Sequence, residues 1–131
     1  MKIIGNGVDI IQNSRIRKSI KNTKFILRVF TKSEINDSKK IRNKTNFFAK
    51  RFAAKEAFVK SIGIGFRKSI NLNDIFVKKS KLGKPTISFS NKVKKILIRK
   101  FKSNRFKVFL SLSDEKHYSI AYVIINKSWK K

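Results

Sequence analysis

The 131-residue chain has no cysteine, which excludes disulfides and thiolate metal sites and suits a reducing compartment. It has one proline and five glycines, no Gly/Ser-rich linker and no internal repeat. A single domain over 1–126, followed by a basic tail over 127–131, is the expected organisation. No apolar run reaches membrane-spanning length. At the N-terminus, Gly5, Asn6, Gly7 and Asp9 interrupt the apolar stretch before a signal-peptide core can form. The composition therefore predicts a soluble cytoplasmic protein with no membrane partner. Histidine occurs once, as His117 in a polar turn, which argues against a histidine metal site. Ser113 and Asp114 stand close to it in sequence, but local crowding in a turn does not give the geometry of a catalytic triad.

Acids are the other scarcity: 7 against 34 basic residues, for a formal charge of +27. Self-repulsion at that density opposes compaction, so a partner or a compositional history is implied. Nucleic acid is the default partner of such a balance. An acidic protein is the second candidate, because complementary charge speeds encounter. The abundance of Lys, Ile, Asn and Phe together also fits an AT-rich genome. Against nucleic acid, the aromatics fall at core spacings and no RNA-recognition signature is present.

Among so few acids, Glu56 draws notice. The run Phe48-Ala49-Lys50-Arg51-Phe52-Ala53-Ala54-Lys55-Glu56-Ala57-Phe58-Val59-Lys60 sets it among four cations on one predicted helix. Glu56 and Lys60 are four residues apart and share a face, as either a surface ion pair or a ligand site for a metal-bound phosphate. Phe48, Phe52 and Val59 form the apolar stripe, and Ala49, Ala53 and Ala57 leave a low surface for another element to approach. Lys55 falls within the stripe, where it either snorkels to water or meets a buried anion. A second acid, Asp9, lies within Ile3-Ile4-Gly5-Asn6-Gly7-Val8-Asp9-Ile10-Ile11, an apolar strand with two glycines. Burying it requires a cation or hydrogen bonds, so metal ligation stands beside a turn or capping role.

The remaining elements follow from caps and periodicity. Asn13 or Ser14 can cap a short helix that Asn22 ends, and Thr23 a second one. Thr31-Lys32-Ser33-Glu34 fits a capping box ahead of a helix from Ile35 to about Lys40. The main helix is expected from near Asn46 to Gly63. Strands are expected at Ile75-Phe76-Val77 and Thr86-Ile87-Ser88-Phe89, with Pro85 at a strand start or edge. A basic amphipathic helix spans Asn91 to about Lys102. Two last strands, Val108 to Ser113 and Tyr118 to Ile125, flank the turn Asp114-Glu115-Lys116-His117. Helices ahead of a strand-rich half predict an α+β fold with an antiparallel sheet and one long central helix.

Taken together, Gly7-Val8-Asp9 and Phe52-Ala53-Ala54-Lys55-Glu56-Ala57-Phe58-Val59-Lys60 resemble the holo-acyl-carrier-protein synthases, the small bacterial 4′-phosphopantetheinyl transferases. Further matches occur in order: Arg15, Thr31-Lys32-Ser33-Glu34, Gly63-Ile64-Gly65, Leu82-Gly83-Lys84-Pro85, and Ser111-Leu112-Ser113 followed by His117-Tyr118. One departure is visible. Many family members carry histidines around the Ser-x-Ser strand, where this chain has Phe109 and Asp114.

The resemblance implies an α+β protomer that assembles as a homotrimer with active sites between subunits. It implies transfer of 4′-phosphopantetheine from coenzyme A to a serine of apo-acyl carrier protein, with Mg²⁺, in fatty acid biosynthesis. Asp9 and Glu56 match the family's metal ligands. Glu56 is then also the base for the serine hydroxyl, and Lys60 neutralises the diphosphate. Arg51, Lys60, Gly63, Lys84, Pro85, Ser111 and Ser113 match coenzyme A contacts. Arg15, Lys24 and Arg28 match the positions that meet the acidic carrier protein. A small RNA-binding protein and an inactive carrier-protein binder are the alternatives, and the presence of Asp9, Glu56 and Lys60 argues against the second.

Overall fold

The computed structural model describes residues 1–63 and 69–128. Its elements run β1 (Lys2–Gln12), α1 (Asn13–Ser19), α2 (Thr23–Val29), α3 (Lys32–Ser38), α4 (Lys44–Ile62), β2 (Ile75–Lys79), β3 (Pro85–Phe89), α5 (Asn91–Phe101), β4 (Phe106–Asp114) and β5 (Tyr118–Lys127). Strands β1, β5 and β4 form an antiparallel sheet in that order, and β2 pairs with β3 in a separate antiparallel hairpin. This is the expected α+β arrangement around one long helix. Ile64 and Gly65 of the expected glycine motif, and Trp129 of the tail, lie outside the described residues.

Alternation in the sheet sends one face to α4 and the other outward. Ala121, Val123 and Ile125 of β5 are fully buried, while Ile120 and Tyr122 stay exposed. On β1, Gly7 and Ile11 are buried and Val8 and Ile10 are exposed. The contact with α4 is close because both surfaces lack side-chain bulk. A Cβ on Gly5 would lie 2.1 Å from the carbonyl oxygen of Ser61, and one on Gly7 2.0 Å from that of Ala57. These two glycines serve that approach, and the fully buried Ala49, Ala53 and Ala57 line the helix side of it. Aromatic packing fills the other flank of α4: Phe30 lies 4.6 Å from Phe48, and Phe58 stacks on Phe89 at 5.6 Å between ring centres.

Several caps differ from expectation. The N-cap of α1 is Gln12, with no side-chain bond, whereas Asn13 is fully buried and donates to the carbonyls of Glu115 (2.9 Å) and Lys116 (3.2 Å). Its side-chain oxygen accepts from the Ser119 hydroxyl at 2.7 Å, so the residue staples the β4–β5 turn to α1. Asn22 does not end α1, which stops at Ser19; it caps α2 instead of Thr23, accepting from Lys24 N–H at 2.9 Å. The helix start near Asn46 moves to Lys44, because Asn43 accepts from Asn46 N–H at 3.1 Å. At the other end of α4, Gly63 takes φ 117°, and the Lys100 ammonium donates to the Ile62 carbonyl. Strand β5 continues through Lys127, whose ammonium caps α5 at Phe101 O (2.9 Å), so the strand takes in the first residue of the expected tail.

Candidate active site

Strand β1 and helix α4 bring the two singled-out acids to one region. Asp9 lies on the helix side of the sheet with its side chain 14% exposed, and its Oδ1 receives the Lys60 ammonium at 3.0 Å. Lys60 also donates to the Val8 carbonyl at 3.1 Å. Glu56, half-buried, stands one turn before Lys60 on the same edge of α4. The Glu56–Lys60 spacing thus becomes an acid–base edge set against Asp9, 51 residues away from Lys60 in the chain. The partly buried Asp9 pairs with a cation and does not cap a helix.

Arg51 behaves unlike a surface arginine. It is 4% exposed, its guanidinium lies 3.5 Å from the centre of the Phe47 ring, and it donates to Phe47 O at 3.4 Å. Its buried Nε has no hydrogen-bond partner among the described residues. Desolvation lowers its pKa below the usual guanidinium range, against the pull of the Glu34 and Asp37 carboxylates. Arg51 and Phe47 line a cleft of about 380 Å³ together with Ser33, Lys40, Lys78 and Lys79. The cleft is also lined by Asp37, and the three lysines leave it net basic, which suits an anion such as a phosphate.

The remaining positions fall elsewhere on the chain. Gly63 ends α4 beyond Lys60. Lys84 is exposed just before β3, which Pro85 begins as anticipated. Ser111 and Ser113 pair with Tyr122 and Ile120, on the sheet face away from α4. One chain therefore joins Asp9, Glu56 and Lys60 but does not carry Ser111 and Ser113 to them. Arg15 on α1 and Lys24 and Arg28 on α2 are exposed, with the Arg28 guanidinium 6.0 Å from the Phe25 ring centre.

Residues 5–123 match the model of the 4'-phosphopantetheinyl transferase superfamily. The chain belongs to that superfamily. It is 58% identical over 127 residues to the holo-[acyl-carrier-protein] synthase of Pelagibacter ubique, covering 97% of this chain and 99% of that protein. Among solved structures, the holo-[acyl-carrier-protein] synthase of Neisseria meningitidis is similar at a TM-score of 0.83 and 35% identity, covering 95% of this chain and 99% of that one. The Bacillus anthracis holo-(acyl-carrier-protein) synthase in complex with CoA (3',5'-ADP) is similar at 0.80 and 35%, covering 98% and 100%.

As a phosphopantetheinyl transferase superfamily member, the chain carries two features that sequence reasoning did not find. Of the two alternatives for Lys55, the buried anion holds, and what the sequence did not name is the partner: its ammonium lies 2.6 Å from Glu34 Oε1, with the two side chains 0% and 1% exposed. Burial lowers the Lys55 pKa, the Glu34 charge and hydrogen bond oppose that, and Arg51 adds to it. The signal was present, since a lysine in an apolar stripe needs an acid and only 7 exist, but the capping box had already given Glu34 a role. The second feature is Asp114, where many members carry a histidine. It accepts from Asn46 Nδ2 at 2.7 Å and faces Lys50 at 3.6 Å, so it ties the β4–β5 turn to the first turns of α4. Phe109, the other departure, lies on the outward sheet face under the Lys107 ammonium, 5.1 Å from its ring centre.

Proposed function

We propose that this chain transfers 4′-phosphopantetheine from coenzyme A to a serine of apo-acyl carrier protein, releasing adenosine 3′,5′-bisphosphate. The observation that carries this reading is the Asp9–Lys60 contact with Glu56 one turn away. The serine oxygen forms a bond to the phosphorus that bears pantetheine, and the bond from that phosphorus to the diphosphate bridging oxygen breaks. Glu56 takes the serine proton, and the leaving bisphosphate departs with the bridging oxygen. Lys60 offsets the charge on the diphosphate and on the leaving group. Catalysis of this kind consists mainly of positioning and charge stabilisation.

The donor chemistry fits magnesium. No group of three or more His, Cys, Asp or Glu gathers among the described residues, so the protein supplies two carboxylates at most, Asp9 and Glu56. Magnesium is commonly held by one or two carboxylates, with waters and substrate phosphates completing its shell. Bound there, the ion would supply charge neutralisation at the diphosphate. Its hold on Asp9 is shared with Lys60, which donates to the same carboxylate.

The cleft lined by Arg51, Lys40, Lys78 and Lys79 is suited to a phosphate of coenzyme A, with Asp37 as its one acid. Lys84, Pro85, Ser111 and Ser113 are further coenzyme A contacts on this reading, contributed by a neighbouring copy in a homotrimer. Support comes from the outward sheet face, where Val8 (50% exposed) pairs with Tyr122 (44%) and Ile10 (60%) with Ile120 (37%). An apolar face of that kind on a strongly charged chain calls for a cover. Arg15, Lys24 and Arg28 would receive the acidic carrier. No helix among the described residues is long and apolar enough to cross a membrane. The reading places the enzyme in the cytoplasm, serving fatty acid biosynthesis.

The test is to incubate the purified protein with apo-acyl carrier protein, coenzyme A and magnesium, and to weigh the carrier by intact-mass spectrometry. A phosphopantetheine-sized gain that disappears with Glu56→Gln and with chelator is the expected result. No gain on a carrier that another transferase can modify would overturn the reading.

A further inference from the structure

The face of α4 that meets the sheet is smooth. Gly7 lies against the Ala57 carbonyl and Gly5 against that of Ser61, while Phe48, Phe58 and Ile62 of α4 are buried on its other flanks by non-directional packing. The directed bonds lie on the side of the helix away from the sheet. Lys55 Nζ donates to Glu34 Oε1 at 2.6 Å and to the Val29 carbonyl, at the end of α2, at 2.7 Å. Glu34 is itself held from two further directions: Oε1 accepts from Thr31 N–H at 2.9 Å and Oε2 from Val77 N–H of β2 at 2.9 Å. The ammonium is therefore aimed at acceptors that α2, α3 and β2 fix in place. Glu56 follows Lys55 directly, and Lys60 lies on the same edge one turn beyond Glu56, so the angle at which Lys55 is held bears on the angle of both, alongside the packing of Phe48 and Phe58.

We propose that Glu34 and Lys55 are a positioning pair for phosphopantetheine transfer, fixing the rotation of α4 so that Glu56 and Lys60 address Asp9. The inference rests on the assignment of Asp9, Glu56 and Lys60 to the reacting centre. Neither member of the pair touches substrate. A pair needed only for stability could be exchanged for packed apolar side chains without loss of rate, since such exchanges often leave a fold as stable or more so. An apolar side chain fills the space but has no directed bond with which to set an angle. Displacing a reacting group by about 1 Å can cost on the order of 100-fold in rate.

The experiment compares wild type, the double variant Glu34→Met/Lys55→Met, and Glu56→Gln. Each is assayed at saturating coenzyme A over a range of carrier concentrations, with the folded fraction measured by circular dichroism. The double variant is expected to fold and to lose about 10- to 100-fold in kcat, a larger change than in KM for the carrier. Wild-type kcat in a folded double variant would overturn the proposal. Should that variant not fold, Lys55→Gln and Lys55→Met decide: the glutamine amide keeps directed donors, so it should retain more kcat per folded molecule, and equal values refute positioning. Full activity in Glu56→Gln would instead remove the assignment of the reacting centre, whatever the pair does.

Discussion

Gly7 and Ala57 meet so closely that a Cβ on Gly7 would sit 2.0 Å from the Ala57 carbonyl oxygen. That oxygen belongs to helix backbone and cannot swing aside. Gly7→Ala should therefore destabilise the fold by at least about 1–3 kcal/mol, the usual cost of overpacking a core. It should also push β1 off α4 and separate Asp9 from Lys60. Urea unfolding and the transfer assay check this together, and a variant with unchanged midpoint and rate would refute the close approach.

Asp9→Asn and Lys60→Met probe function with little effect on stability. The Lys60 side chain is 54% exposed, so the pair contributes only about 0–1 kcal/mol to folding. Unfolding midpoints should hardly move, while kcat falls on the order of 100-fold or more for Lys60→Met. A loss of stability matching the loss of rate would show that the pair is structural.

Arg51→Ala should raise KM for coenzyme A on the order of tenfold, with the carrier KM unchanged, because it removes a charge-assisted hydrogen-bond donor from the cleft. Arg51→Lys should not restore it. A flat guanidinium lies 3.5 Å from the centre of the Phe47 ring, and an ammonium cannot reproduce that packing. Titration of coenzyme A by calorimetry gives the same comparison without turnover, and equal affinity in all three proteins would exclude a phosphate at Arg51.

The buried Lys55 predicts an alkaline signature. Its folded pKa lies below the ordinary 10.5, with burial as the main cause. Between that lowered value and 10.5 the unfolded chain still holds a proton that the folded chain has released, so this group's contribution to stability rises with pH there. Below the window lysine is protonated in both states and the slope vanishes. Urea midpoints followed upward in pH towards 10.5 should climb more in wild type than in Glu34→Met/Lys55→Met. Parallel curves would mean that Lys55 titrates as an exposed lysine.

Carrier recognition should depend on salt. Arg15, Lys24 and Arg28 are exposed, and on the proposed reading would attract an acidic carrier through water, where the screening length is about 10 Å at 0.1 M salt. Arg28→Ala should raise the carrier KM, and the difference from wild type should shrink as salt is added. An effect independent of salt would point to packing against Phe25 instead.

The separation of local from distant interactions explains what was legible beforehand. The capping box at Thr31 and Glu34, the β2–β3 hairpin, the amphipathic α5 and the smooth alanine strip of α4 depend on neighbours within a few residues, and each formed as the pattern indicated. Asn13 was misread because its partners, Glu115 and Lys116, lie more than 100 residues away. A cap and a long-range staple require the same side chain. The burial of Arg51 was illegible for a related reason, since only the assembled α4 and its neighbours bury it on Phe47.

By itself the sequence determined the acid–base edge of α4, the glycines that let β1 approach, and the motif order of the superfamily, because spacing along a helix or strand dictates which side chains share a face. Tertiary structure alone decided that Lys60 meets Asp9, that Lys55 finds Glu34, and that Ser111 and Ser113 turn away from both. Those outcomes depend on how separate elements are rotated against one another. Packing sets that rotation, and no local pattern encodes it.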